Sequence, residues 1–170
     1  GTFTLTYAAV NDAPTVASAI DDASTAEDSA YSLNVAGTCT DVDGDTLTYS
    51  ISGAPSTITI SGTTISGTPL NADVGTHTIT VTCTDDGTGT LSASDEYVLT
   101  VTNVNDAPTI ANAISDVSTA EDASYSLSVA NVCTDVDSGD SLTYSISGAP
   151  STITISGTTI SGTPLNADVG

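Results

Sequence analysis

The sequence predicts an all-β chain of tandem β-sandwich domains arranged end to end, and three observations carry that reading. Apolar residues alternate with Ser and Thr at a period of two, turn residues interrupt the alternation at short intervals, and the whole pattern repeats. Residues 47–75 recur without one change at 142–170. The offset is 94 from Asn11 to Asn105 and from Cys39 to Cys133, and 95 from Leu47 to Leu142, the extra residue entering where DVDGD (41–45) becomes DVDSGD (135–140). A unit of that length exceeds a solenoid turn and can bury its own core, so each unit is expected to be a separate small domain.

Seven strands per unit follow from the local pattern. A first strand is placed at 15–20, behind Pro14. The second, 30–37, carries Tyr31, Leu33 and Val35 on one face, and the third, 46–52, carries Leu47, Tyr49 and Ile51. Asp43-Gly44 turns the chain into the third strand and Ser52-Gly53-Ala54-Pro55 turns it out again. Short strands at 57–60 and 63–66 end at Ser66-Gly67-Thr68-Pro69. The sixth, 77–84, alternates through Ile79 and Val81 to the turn at Asp86-Gly87, and the seventh, 95–103, alternates through Tyr97, Leu99 and Val101. No stretch has helical periodicity. Seven short strands with evenly spaced turns describe an immunoglobulin-like sandwich.

Unit boundaries fall at Asn-Asp-Ala-Pro, at Asn11–Pro14 and Asn105–Pro108. Residues 1–10 align with 95–104 and read as the last strand of a preceding repeat. Residues 11–104 form one complete repeat, and 105–170 form a second that lacks its last two strands. The chain is expected to be either an excerpt of a longer array or a subunit completed by a neighbour's strand, and the excerpt is the reading we favour.

Composition narrows the function. The chain has no Lys or Arg and 21 Asp and Glu, a formal net charge of -21. Nucleic acid and anionic membrane surfaces are recognised by basic groups and are therefore excluded as partners. Two carboxylates 4 Å apart repel by about 1 kcal/mol in water, so clusters of them call for an external cation. Six Tyr, one Phe and no Trp or Met leave a thin core of Val, Ile, Leu and Tyr. No apolar run approaches the ~20 residues of a membrane-spanning helix.

The acidic motifs lie near the unit ends. Asp41-Val42-Asp43 and Asp135-Val136-Asp137 follow the second strand of each unit, Asp85 follows the sixth, and Glu27 and Asp73 lie in connections. The second and sixth strands of a sandwich can end at one pole, which would gather Asp41, Asp43 and Asp85 beside linker residues Asn11 and Asp12. Oxygen donors without thiolate or imidazole suit Ca²⁺. The same residues also serve to cap turns, and the sequence leaves both roles open.

With its NDAP boundary, Asp-Val-Asp followed by LTYSIS, ISGTP turn and VTCTDDG strand end, the whole chain resembles the bacterial cadherin-like repeats, including the dystroglycan-type variety. The resemblance implies calcium between successive repeats, held by a linker motif, a D-x-D from the following repeat and acidic residues of the preceding one. Carried over, the second junction would use Asn103, Asn105, Asp106, Asp135 and Asp137 with Glu27 and either Asp73 or Asp85, and the first would use Asn11, Asp12, Asp41, Asp43 and Asp85. Ala9 and Asn103 stand where the family has Asp, which implies fewer or weaker ions. Cys39 and Cys83 both continue inward-facing parity and both sit in Cys-Thr-Asp. A bridge between them would match the inter-sheet disulfide of immunoglobulin domains and imply an oxidising, extracellular setting. Two buried free thiols are the alternative.

Other chemistry is rejected on spacing. Asp41-x-Asp43-x-Asp45 starts like an EF-hand loop, but Thr46 and Ser52 stand where Gly and Glu are required. Asp137-Ser138-Gly139 has no partner loop for an aspartic protease, and His77 begins a strand among threonines. The expectation is a non-enzymatic structural module of an extracellular adhesin or surface filament. Its partners would be neighbouring repeats or copies of itself. A module that binds a glycan or protein ligand at the cell surface is the alternative.

Overall fold

Period-two alternation becomes two packed sheets in the first of the two units. A computed structural model describes residues 1–169 and divides the chain at Gly1–Val104 and Asn105–Gly170. The first unit contains β1 (Thr15–Val16), β2 (Ala23–Ala26), β3 (Tyr31–Asn34), β4 (Cys39–Thr40), β5 (Thr48–Ser52), β6 (Ile58–Ser61), β7 (Thr64–Gly67), β8 (Gly75–Thr84) and β9 (Ser92–Thr102). One sheet runs β2-β9-β8-β5, the other β3-β7-β6, and β1 pairs with β4. Every pairing is antiparallel except β2 on β9.

The core lies between these sheets. Ile79 and Val81 of β8 and Tyr97, Leu99 and Val101 of β9 pack in one cluster with Tyr31, Val35, Ile58 and Ile65. The Tyr31 hydroxyl donates to that of Tyr97 at 3.2 Å across the sandwich. Burial pushes both phenols above their ordinary pKa. The bond gives the two buried hydroxyls the partner that an apolar interior otherwise denies them.

The strands at 15–20 and 30–37 differ from expectation. The first is only β1, and the chain then crosses to form β2, which the sequence pattern does not reveal. Asp95 Oδ2 accepts from the Ile20 amide at 2.7 Å, and Asp22 Oδ1 accepts from the Val98 amide at 2.8 Å. These two carboxylates hold the crossover against β9 from both sides. The second expected strand, 30–37, is shortened to β3, and the separate two-residue β4 follows the turn at Gly37, whose φ of +86° suits glycine. A 3₁₀ turn, Asn71–Asp73, stands where no helix was expected.

The second unit contains β10 (Thr109–Ile110), β11 (Tyr125–Ser128), β12 (Cys133–Thr134), β13 (Ile153–Ser156) and β14 (Thr159–Gly162). Here β10 pairs with β12, and β11-β14-β13 reproduces the three-stranded sheet. Residues 142–147, identical to the 47–52 segment that forms β5, make no strand, and among the described residues none pairs with them as β8 pairs with β5. Residues 1–10 likewise form no strand, and Phe3 and Tyr7 are exposed.

Cys39 and Cys83 form a disulfide with Cα atoms 6.4 Å apart. It joins β4 to β8, and both residues are buried. Cys133 is a half-buried free thiol. The bridge closes a separation of 44 residues, worth about 4 kcal/mol in the chain-entropy treatment. Cys39→Ser with Cys83→Ser is therefore expected to lower unfolding free energy by about that amount in urea titration. A loss below about 1 kcal/mol would mean that the reduced unfolded chain is already constrained.

Candidate metal centre

The acidic pole of the first unit is built by alternation. Residues i and i+2 of a strand share a face, and burial keeps that rhythm one residue past β4 and β8: Asp41 is less exposed than Thr40, and Asp85 less than Thr84. Asp85 is 3% exposed, close to Asp41 and Asp45, and ligand atoms of the three carboxylates all lie within 4.8 Å of one another. Such a group repels itself, and the chain has no Lys or Arg to neutralise it.

Backbone amides and one side-chain amide relieve part of that repulsion. Asp85 Oδ1 accepts from the amides of Gly87 at 3.2 Å and Leu91 at 3.0 Å, while Oδ2 accepts from Asn11 Nδ2 at 3.2 Å. Asp41 Oδ1 accepts from the Asp43 amide at 2.8 Å. Asp43 Oδ2 accepts from the Asp12 amide at 2.7 Å, and Asp86 Oδ1 from the Thr46 amide at 2.7 Å. The repulsion is not fully relieved. Loss of solvation, then the charges of Asp41, Asp86, Asp43 and Asp85, hold the Asp45 carboxyl above the ordinary carboxylate range.

Two features leave room for a cation. Asp41 Oδ2 is buried with no hydrogen-bond partner. A Cβ at Gly87 would run into Asn11 Oδ1 and Asp45 Oδ2, so only glycine lets both oxygens converge there. The donors are all hard oxygens, which fits Ca²⁺ and not a soft metal. Asn11, Asp41, Asp45 and Asp85 are the residues that would hold it.

The second unit repeats the local design. Asp137 Oδ2 accepts from the Asp106 amide at 2.6 Å, and Asp135 Oδ1 from the Asp137 amide at 2.9 Å, matching Asp43 with Asp12 and Asp41 with Asp43. Asp135, Asp137 and Asp140 form a close carboxylate group. Asn105, Asp106, Asp135 and Asp140 line a cleft of about 260 Å³.

Several expected residues lie outside the group of Asp41, Asp45 and Asp85. Asp43 is exposed and caps the linker amide of Asp12, itself exposed. Asn103 is exposed at the end of the first unit, and the Asn105 side chain donates to the Asp106 carbonyl at 3.1 Å. Glu27 is 1% exposed, its Oε1 accepting from the Val104 amide at 2.7 Å and its Oε2 buried without a hydrogen bond. Asp73 belongs to none of the carboxylate groups found among the described residues. Its Oδ2 accepts from Thr57 Oγ1 at 2.7 Å and the Leu70 amide at 3.0 Å, closing the 3₁₀ turn. Asp45, visible in the sequence only as part of a rejected EF-hand, belongs to the cluster while Asp43 in the same D-x-D-x-D run does not, so the alternation is a weak signal for it.

The family model described as Putative Ig domain matches residues 13–102 and again 107–170. The chain belongs to this Ig-domain family. No curated protein matches it. Among solved structures, the chain is similar to Drosophila N-cadherin EC1-4, at 19% identity and a TM-score of 0.52, over 93% of this chain and 42% of that one. It is also similar to the endo-fucoidan hydrolase MfFcnA4 from glycoside hydrolase family 107, at 25% identity and a TM-score of 0.48, over 93% of this chain and 25% of that one. The chain thus spans a quarter of that hydrolase and under half of that cadherin. The cadherin likeness establishes the fold: an Ig-like, cadherin-like tandem repeat. No helix among the described residues is long and apolar enough to cross a membrane, which leaves β-barrels unaddressed.

Two aspartates are expected to respond to substitution with opposite signs. Hydrogen bonds from the Leu70 amide and then Thr57 hold Asp73 below its ordinary pKa of 3.8. Its ionised form stabilises the fold above pH 3.8, and that contribution is lost as pH falls through the lowered value. Asp73→Asn should therefore lower Tm at pH 7, with the deficit shrinking below pH 3.8. The raised pKa of Asp45 means that its ionisation opposes folding, fully so above the raised value. Asp45→Asn in chelator should raise Tm at pH 7, and the gain should vanish in acid. Calorimetric scans across pH check both signs.

Proposed function

We propose that this chain is a structural, non-catalytic part of an extracellular bacterial adhesin or surface filament, its repeats stiffened by Ca²⁺ at their linker-side acidic poles. The observation that carries the reading is the pole of the first unit, where buried Asp85, the unpartnered Asp41 Oδ2 and the converging oxygens of Asn11 and Asp45 surround one place. The same Asp-x-Asp and linker-amide geometry recurs in the second unit. A bound divalent ion would supply the positive charge that the sequence lacks. Around it, Asp41 and Asp85 would anchor the strand ends, Asp45 would shed its repulsion, and Asn11 would tie the linker to the pole.

The setting follows from the same residues. The Cys39–Cys83 bridge favours an oxidising compartment, and the cadherin-like fold favours end-to-end association. Partners in this reading are neighbouring repeats or further copies of the chain.

Calcium that binds the folded pole alone adds RT ln(1 + [L]/Kd), about 2.7 kcal/mol at 100 times Kd. Millimolar calcium should therefore raise Tm of the whole chain by several degrees, reversed by EGTA, while Asp41→Asn with Asp85→Asn should remove most of the response. A Tm indifferent to both calcium and EGTA in calorimetry would defeat the calcium reading.

A further inference from the structure

We infer that the Cys39–Cys83 disulfide is a positioning device for the acidic pole: it presets the distance between Asp41 and Asp85 and so sets how tightly the pole holds calcium. The inference rests on the calcium reading above and adds what tunes that site. Three observations support it. Both cysteines sit in Cys-Thr-Asp, so each carboxylate lies two residues beyond a bridged sulfur. Burial alternates through both triplets: Cys39 and Asp41 are less exposed than Thr40 between them, and Cys83 and Asp85 less than Thr84. Their oxygens meet in one group, with Asp41 Oδ2 buried and unpartnered.

The strand pattern explains why a covalent tie is needed there. No ladder joins β4 to β8: β4 pairs only with the two-residue β1, whereas β8 belongs to the four-stranded sheet. Gly37, at φ +86°, breaks the strand just before β4 and detaches it from β3. Asp41 thus follows a short, weakly anchored segment, and Asp85 follows the longest ladder of the unit. Without the bridge, repulsion among Asp41, Asp45 and Asp85 would drive the short segment away from β8. With the bridge, the charges are held together before the ion arrives. The cost of gathering them is met during folding rather than during binding, which is preorganisation.

The test is a calcium titration of the whole chain followed at the amide resonances of Asp45 and Gly87, which report this pole alone. Cys39→Ser with Cys83→Ser is expected to weaken calcium binding by about tenfold or more, the range lost when a support of a metal ligand is removed. Ile65→Ala, a buried core truncation in β7 that lowers stability without touching the pole, should leave the affinity within about twofold, since distant sites act independently. Should the bridge-free chain fail to fold, Thr84→Gly serves with the bridge intact, because it loosens the step from Cys83 to Asp85 and takes nothing from the core, only the exposed hydroxyl contact of Thr84 with Ser92 at the ladder's end; it too should weaken binding. Wild-type affinity in the bridge-free variant, or in Thr84→Gly where that variant must stand in, overturns the inference while leaving the calcium reading intact. Equal weakening by Ile65→Ala also overturns it, since stability alone would then explain the effect. Absence of any response in the wild-type chain defeats the calcium reading itself, and this inference with it.

Discussion

The β8–β9 ladder is the interaction on which the first unit depends. It pairs ten residues of β8 with β9, from Gly75 with Val101 to Thr84 with Ser92. Five of the nine cluster-forming core residues lie on these two strands. β5 adds to one side of the hairpin and β2 to the other. The chain supplies its own control, because residues 47–75 and 142–170 are identical. In the first copy Tyr49 pairs with Cys83 and Ile51 with Val81; in the second, the same LTYSIS forms no strand. Ile58 and Ile65 are buried in the first copy, and their equivalents Ile153 and Ile160 are only half-buried. Local sequence makes the β13–β14 hairpin in both settings, but β5 needs its ladder partner.

The same hairpin positions the pole. β8 ends in Cys83-Thr84 and Asp85 follows directly, so the strand that organises the core carries one half of the disulfide and sets the place of the buried carboxylate. Asp85 is tolerated at 3% exposure because three hydrogen-bond donors reach it, from Asn11, Gly87 and Leu91. Hydrogen bonds to an ionised carboxylate are the strong kind and offset much of its burial. They carry no net charge, however, so they orient the cluster without cancelling the mutual repulsion that adds to loss of solvation in raising Asp45.

Much of this was legible in the sequence, and the failures share a cause. The sandwich, the inward parity of Cys39 and Cys83 and the gathering of Asp41 and Asp85 all follow from period-two alternation, which is local. β2 was missed because Ala23-Ser24-Thr25-Ala26 has no large apolar residue, and its strand exists only through parallel pairing with β9, some 75 residues away, and the grips of Asp22 and Asp95. Asp73 looked like a ligand because an acidic residue in a connection reads alike whether it faces a metal or closes a turn. Only the positions of Thr57 and Leu70 decide between these. Asp45 was passed over for the converse reason: its alternation with Asp41 and Asp43 was visible, but its approach to Asn11 over Gly87 needs the third dimension.

A chain without Lys or Arg differs from an ordinary acidic protein in one respect that bears on any repeat array. Most proteins neutralise a carboxylate cluster with a nearby ammonium or guanidinium, which makes the cluster indifferent to the surrounding ions. Here no such group exists in 170 residues. Counter-charge for Asp41, Asp45 and Asp85 has to come from solution, so the energy of the pole depends on the ionic medium in a way that internal salt bridges would suppress. Screening by monovalent salt acts over about 10 Å at 0.1 M and reaches buried charges poorly. A divalent ion seated among the oxygens neutralises them directly. In the first unit that sensitivity lies beside the Asn11–Pro14 linker, through the bond from Asn11 to Asp85, with the Cys39–Cys83 bridge two residues away, so in the proposed calcium reading the cation would act on the linker and leave the Ile, Val and Tyr core unaffected.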